Sequence, residues 1–306
     1  MDKRIRIGTR ESQLAVWQAS QVRELLKQHG FDSELIYIKS EGDTDLKTPL
    51  YELGVQGIFT KALDIALLDD RIDIAVHSMK DVPTLLAKGI VQAAVLPRAS
   101  YQDIFVPKDD ISFLDEYDAT ATIATSSTRR RAQWLHRYPH HTIENLRGNV
   151  NTRLRKVREE KWKGAIFAAA GLERISLRPD NAVDLEWMLP APAQGAIMVV
   201  CRQDDTYCYE AIRHFNDIDT ALCTGIERDF LRALMGGCTT PISALAQRRK
   251  DDILLTGNLL SMDGKQKKEI TQIATIGNAK NLGTMVGAAL LADGGQEILD
   301  KIKNGN

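Results

Sequence analysis

Cysteine is scarce in this chain, and no two cysteines pair by spacing. Cys201, Cys208, Cys223 and Cys238 contain no C-x-x-C, which argues against a zinc knuckle or a redox dithiol. Thiols without a framework fit a reducing cytoplasm, the location expected here. Excess charge of either sign is also lacking: 40 basic residues against 41 acidic ones leave a net −1. No global field is then available to recruit nucleic acid or an anionic membrane. No apolar run approaches the ~20 residues of a membrane span. Met1-Asp2-Lys3-Arg4-Ile5-Arg6 lacks the apolar segment of a signal peptide. Low-complexity tracts, short solenoid periods, metal triads, P-loops and Gly-x-Ser-x-Gly elbows are missing as well. What is there is a globular chain of 306 residues, 43% hydrophobic and 26% charged, long enough for two or three cores.

The first two-thirds alternates strand and helix patterns. Residues 4–9, 34–39, 72–77 and 92–96 read as strands, with helices over 12–30 and 59–68. After Pro97 the rhythm restarts, with strands over 120–125, 142–146 and 165–170 and helices over 128–137 and 151–160. Residues 197–201 form another apolar strand, followed by a helix over 210–215, and the chain is expected to return there to the first unit. Beyond Asp217 the order changes to a long helix ending near Met235, three strands (242–247, 253–260, 269–276) and a last helix over 279–302. Gly287 and Gly294-Gly295 are that helix's weak points. The pattern predicts two similar α/β domains with mostly parallel sheets and a C-terminal α+β domain. The boundaries expected are 1–97 with 196–216, 98–195, and 217–306.

Cys238 stands out by its surroundings, Gly236-Gly237-Cys238-Thr239-Thr240-Pro241. Two glycines allow a tight turn that leaves the thiol unshielded, and Pro241 fixes the exit. A structural cysteine is normally buried among apolar neighbours; this one reads as presented for covalent attachment.

A helix N-terminus carries roughly half a positive charge and prefers acids. Three strand-to-helix turns carry the opposite: Thr9-Arg10-Glu11-Ser12, Thr125-Ser126-Ser127-Thr128-Arg129-Arg130-Arg131, and Arg147-Gly148-Asn149-Val150-Asn151-Thr152-Arg153. One such turn would be a solvated face with a serine N-cap. Three, each at the carboxyl end of a strand, point to an anion cleft in which backbone N–H groups and arginines close on carboxylates or phosphates. A fourth turn, Ser78-Met79-Lys80-Asp81-Val82-Pro83, differs. Pro83 keeps Val82 out of helical geometry, so Lys80 and Asp81 are expected to project from an extended loop. A lone carboxylate among cations is favoured in its charged form, suited to stabilise a developing cation or to exchange a proton. Local sequence leaves that role and a purely structural Lys80–Asp81 pair equally open. His77 reads as a strand-end histidine rather than a base, and His140-His141 as solvent-facing.

In chain order, Gly8-Thr9-Arg10-Glu11-Ser12-Gln13-Leu14-Ala15, His77-Ser78-Met79-Lys80-Asp81-Val82-Pro83, Thr125-Ser126-Ser127-Thr128-Arg129-Arg130, Leu146-Arg147-Gly148-Asn149-Val150-Asn151-Thr152-Arg153-Leu154, Ala170-Gly171-Leu172-Glu173-Arg174, Gln194-Gly195-Ala196 and Gly236-Gly237-Cys238-Thr239-Thr240-Pro241-Ile242 form a set. That set resembles the porphobilinogen deaminase (hydroxymethylbilane synthase) family. The resemblance implies two periplasmic-binding-protein-like α/β domains plus the C-terminal α+β domain. It implies a transferase of tetrapyrrole (haem) biosynthesis that condenses four porphobilinogen molecules head to tail, each losing ammonia, into hydroxymethylbilane. The cofactor implied is dipyrromethane, held covalently by a thioether to Cys238. Its carboxylates would be held by Ser78, Lys80, Thr125, Ser126, Ser127, Arg129 and Arg130. Arg10, Ser12, Arg147, Arg153, Arg174 and Gln194 would hold the incoming ring and growing chain. Asp81 would face the pyrrole N–H groups and stabilise the azafulvenium-like cation. Porphobilinogen is then the partner of a monomer that takes no nucleic acid and no membrane.

Some positions depart from the family pattern. Gln56 stands where a lysine is common, Ala193 where a glycine is, Met235 where an acid is frequent, and Thr128 where leucine is usual. Two α/β lobes with anion-binding turns also describe a non-catalytic solute-binding protein, against which the presented Cys238 argues.

Overall fold

The computed structural model describes residues 3–39, 60–116, 118–235 and 240–304. Cys238 and Gln56 lie outside the described residues.

The first sheet has the order β2-β1-β3-β10-β4. Its strands are β1 (Ile5–Thr9), β2 (Ser33–Tyr37), β3 (Ile74–Ser78), β4 (Ile90–Val95) and β10 (Ile197–Arg202). β1 runs parallel to β2 and β3, whereas β10 is antiparallel to both its neighbours. Helices cover both faces, so these strands read as continuous apolar runs. On one face Ile5, Ile7, Val76 and Val199 pack with α1 (Gln13–Gln28) and α6 (Thr206–Arg213). On the other, Ala75, Met198 and Val200 pack with Leu63 and Leu67 of α2 (Lys61–Leu68).

The second sheet repeats this plan as β7-β6-β8-β5-β9. It comprises β5 (Asp103–Pro107), β6 (Thr122–Ala124), β7 (Thr142–Glu144), β8 (Gly164–Ala168) and β9 (Val183–Asp184). β6, β7 and β8 are parallel and β5 is antiparallel to β8 and β9. β5 and β9 carry no expectation from the sequence. In each sheet the one reversed strand, β10 or β5, is the first after the chain crosses from the other unit. The helices α3 (Thr128–Arg137), α4 (Val150–Glu159) and short α5 (Ala169–Glu173) follow β6, β7 and β8. The crossing segments touch backbone to backbone: Ala99 N–H donates to Gly195 O at 3.1 Å. A Cβ on Gly195, whose φ is 88°, would stand 2.6 Å from Ser100 O.

Past β10, α7 (Ile218–Ala233) covers the meander β11 (Ile242–Arg249), β12 (Asp252–Leu260) and β13 (Lys267–Thr275), together with α8 (Leu282–Leu290) and α9 (Gln296–Lys303). Phe230, Leu255 and Val286 centre that core. Gly287 is not a weak point. It lies within α8 and its missing Cβ admits Ala233 of α7. The break falls at Gly294, where φ is 96°. His141 corrects another expectation: it is buried, and its Nδ1 accepts from Trp134 Nε1 at 3.1 Å, while His140 is exposed. An aromatic pocket of Trp134, Tyr138 and Phe113 outcompeted solvent for the ring.

Candidate active site

The basic turns all sit at strand carboxyl ends. Arg10 follows β1, Lys80 and Asp81 follow β3, Thr125 to Arg130 follow β6, and Arg147 to Arg153 follow β7. None of α1, α3 and α4 has an acid in its first turn, although the helix dipole favours one there. Side-chain oxygens cap these helices instead. Ser12 Oγ accepts from Ala15 N at 3.4 Å, Ser127 Oγ from Arg130 N at 3.4 Å, and Asn149 Oδ1 from Thr152 N at 3.0 Å. Ser126 Oγ lies 2.6 Å from Asn145 Oδ1 and accepts from Leu146 N at 3.0 Å, linking the β6 and β7 turns. Thr125 Oγ1 accepts from Ser127 N at 3.2 Å. Lys80 and Asp81 lie not on an extended loop but on one 3-10 turn over Met79–Asp81, and Val82 returns to extended geometry before Pro83.

The charges form one group. Burial, then Arg130, Arg147 and Arg10, pushes the Arg153 guanidinium down to about 10, with Asp81 opposing. Burial and Arg130 bring Lys80 down to about 8 against the pull of Asp81 and Asp103. His77, buried beside Arg10, falls to about 4 and is neutral at pH 7. Arg174 stands apart. Its Nη2 donates to Gly195 O at 2.7 Å and its guanidinium lies 5.7 Å from the Trp17 ring centre; burial lowers it to about 10.

Asp103, the first residue of β5, organises the inner end of this group. It is fully buried. Its Oδ1 accepts from Arg130 Nε at 3.0 Å and Nη2 at 2.8 Å, and from Gln194 Nε2 at 2.9 Å. Arg129 Nη2 lies 2.7 Å from its Oδ2, a charge contact off the line of a directed hydrogen bond. Burial alone would raise this carboxyl, but Arg129 and Arg130 hold it at about 2. Gln194 is itself buried, and its Oε1 accepts from Lys80 Nζ at 3.3 Å. One amide therefore joins the β3 turn to the head of β5. Ser78 Oγ pairs with the Gln18 amide on α1 at 2.9 Å.

Residues 5–210 match the family described as "Porphobilinogen deaminase, dipyromethane cofactor binding domain", and residues 221–292 match "Porphobilinogen deaminase, C-terminal domain". The chain belongs to the porphobilinogen deaminase family. It is 42% identical to the porphobilinogen deaminase of Acidithiobacillus ferrooxidans over 99% of this chain and 100% of that one. It is 41% identical to the chloroplastic porphobilinogen deaminase of Pisum sativum over 95% of this chain and 82% of that one. Among solved structures, the methionine binding protein MetQ is 14% identical, covers 69% of this chain and 89% of its own, and has a TM-score of 0.43. Membership makes the protein a transferase of tetrapyrrole biosynthesis, the hydroxymethylbilane synthase that condenses four porphobilinogen molecules with loss of ammonia. The solute-binding reading is not favoured.

Dipyrromethane, the group of the matched domain, carries an acetate and a propionate on each of two rings. The described residues suit it: Arg10, Lys80, Arg129, Arg130, Arg147 and Arg153 supply six positive charges around two carboxylates, Asp81 and Asp103. Sequence reasoning missed Asp103, although an acid heading the otherwise apolar strand Asp103–Pro107 was a usable signal. It also missed Gln18, buried on the inner face of α1, and Arg228 and Glu227 of α7, whose partners are far away in sequence. Among the described residues no helix is long and apolar enough to cross a membrane.

Proposed function

We propose that the cleft between the two α/β units is the condensation site, with Asp81 its catalytic carboxylate and Cys238 the thioether anchor of the cofactor. When bound, dipyrromethane supplies a free pyrrole α-carbon as the nucleophile that primes chain growth. Ser78, Lys80, Thr125, Ser126, Ser127, Arg129 and Arg130 hold its carboxylates. Arg10, Ser12, Arg147, Arg153, Arg174 and Gln194 hold the acetate and propionate of porphobilinogen and of the lengthening product. Asp81 accepts from the pyrrole N–H of porphobilinogen. Its negative charge stabilises the cationic methylene pyrrole left when the C–N bond of the aminomethyl group breaks and its nitrogen departs as ammonia. Each coupling forms one carbon–carbon bond and releases one α-proton, which Asp81 accepts.

The observation supporting this is that, among the described residues, Lys80, Arg130, Arg153, Arg147 and Arg10 lie close enough to perturb one another, with the Asp81 carboxylate among them. The same proposal divides the chain into 1–97 with 196–216, 98–195, and 217–306. It makes the protein a cytoplasmic monomer with no nucleic-acid or membrane partner. Asp81→Ala tests it: the holo variant should fold normally and lose about 10²–10³-fold in kcat. Near-normal kcat in a variant that carries its cofactor would remove Asp81 from the chemistry.

A further inference from the structure

Arg228 lies on α7, in the C-terminal unit, yet its guanidinium is spent on the β3 turn. Nη1 donates to Val82 O at 2.8 Å and more weakly to Met79 O at 3.4 Å, and Nη2 donates to Pro83 O at 2.6 Å. The residue is 9% exposed, and burial pushes its guanidinium down to about 10. Holding a buried cation on carbonyl groups is costly, and an arginine's planar fork suits it because two nitrogens meet two carbonyls at once. Those carbonyls belong to the residues flanking Asp81. The Met79–Asp81 turn is only three residues long; Met79 and Val82 anchor it in the apolar core, and its polar ties among the described residues are Val82 N to Met79 O at 3.2 Å, Met79 N to Ala196 O at 3.0 Å, the Lys80–Gln194 bond, and Arg228.

The helix that carries Arg228 is itself fixed. Glu227, the preceding residue, accepts from Arg98 Nη1 at 2.6 Å, Ala193 N at 2.6 Å and Ala246 N at 2.8 Å. Both crossing segments and β11 are thereby tied to the same turn of α7. The chain leaves α7 at Ala233, five residues before Cys238.

We propose that Arg228 is a positioning residue for the condensation: it holds the backbone around Asp81 against α7, so the carboxylate keeps a fixed place relative to the helix that leads to Cys238. This rests on the role given to Asp81 above, and a double-mutant cycle separates the two. Wild type, Arg228→Met, Asp81→Asn and the double variant are each purified and checked for cofactor by intact mass. Their kcat and KM for porphobilinogen are then measured per holo enzyme.

Misplacement by about 1 Å can cost 10²-fold. Arg228→Met should therefore lower kcat by roughly 10–100-fold with KM changed less than about 3-fold, and Arg228→Lys should recover part of the loss. In the Asp81→Asn background the same substitution should cost less than about 3-fold. Equal losses in both backgrounds, a near-normal kcat, or a rise in KM alone would overturn the inference. If Arg228→Met fails to fold, the cycle is run with Arg228→Lys under the same criteria. A near-normal kcat for Asp81→Asn would instead sink the Asp81 assignment, and any Arg228 effect would then not act through it.

Discussion

Asp103→Asn changes one atom in a buried polar cluster made with Arg129, Arg130 and Gln194. The native carboxylate meets Arg129 and Arg130 at 2.7 and 2.8 Å with no exposure of its own. Holding the carboxyl at about 2 instead of its ordinary 3.8 corresponds to roughly 2–3 kcal/mol at about 1.4 kcal/mol per unit. Removing one partner from a buried pair costs about 3–5 kcal/mol, because the remaining charges are stranded. Asparagine still accepts hydrogen bonds, so about 3 kcal/mol is expected, a fall in Tm on the order of 5–10 °C. The assay is thermal and urea unfolding of wild type and variant, both in a Cys238→Ser background so that cofactor binding does not differ. The sign with pH follows from the depressed value. The carboxylate stabilises the fold fully above the unfolded value of 3.8 and loses that effect as pH falls toward 2. The gap between the proteins should be constant above about pH 5 and close below about pH 4. Equal Tm values at pH 7, or a gap unchanged down to pH 3, would refute this reading of Asp103.

The arginines should divide by task. Arg129→Leu and Arg130→Leu should yield mostly apo protein, whereas Arg10→Leu, Arg153→Leu and Arg174→Leu should keep the cofactor and stall chain growth. Each charge-assisted pair contributes roughly 1.5–3 kcal/mol, an order of magnitude or more in ring binding. Intact mass reads both effects, as occupancy and as steps of one pyrrole, and a single pattern across all five variants would contradict the division. Met235 has φ 48° just past the end of α7 and is 69% exposed, a left-handed position that disfavours a side chain by roughly 1–2 kcal/mol. Met235→Gly should therefore raise stability by about 1 kcal/mol in urea unfolding; a destabilised variant would mean that this backbone strain is not what governs the site.

Much of this was legible in the sequence because it depends on local order. The alternation of patterns yields both α/β units, and α3 spans the expected residues 128–137. Basic first turns mark three of the helices that meet at the cleft, since a helix dipole penalises cations wherever the helix lies. Ala193, standing where a glycine is common, proves to have φ 62°, which gives the departure a physical meaning. What was not legible depends on distant partners. Asp103 is defined by Arg129, Arg130 and Gln194, Arg228 by the carbonyls of residues 79–83, and Glu227 by Arg98. No spacing rule links these positions. His141 appeared exposed because Pro139 and His140 precede it, whereas Trp134 seven residues earlier decides its burial. β9, two residues long, is below what any periodicity can register.

The central claim, that a cationic cleft serves a dipyrromethane anchored at Cys238, is tested most directly by the intact mass of the purified protein. The account predicts a mass above that of the polypeptide by two pyrrole units, an increment abolished by Cys238→Ser together with activity. A fully active protein at its bare polypeptide mass, or an increment that survives Cys238→Ser, would contradict it.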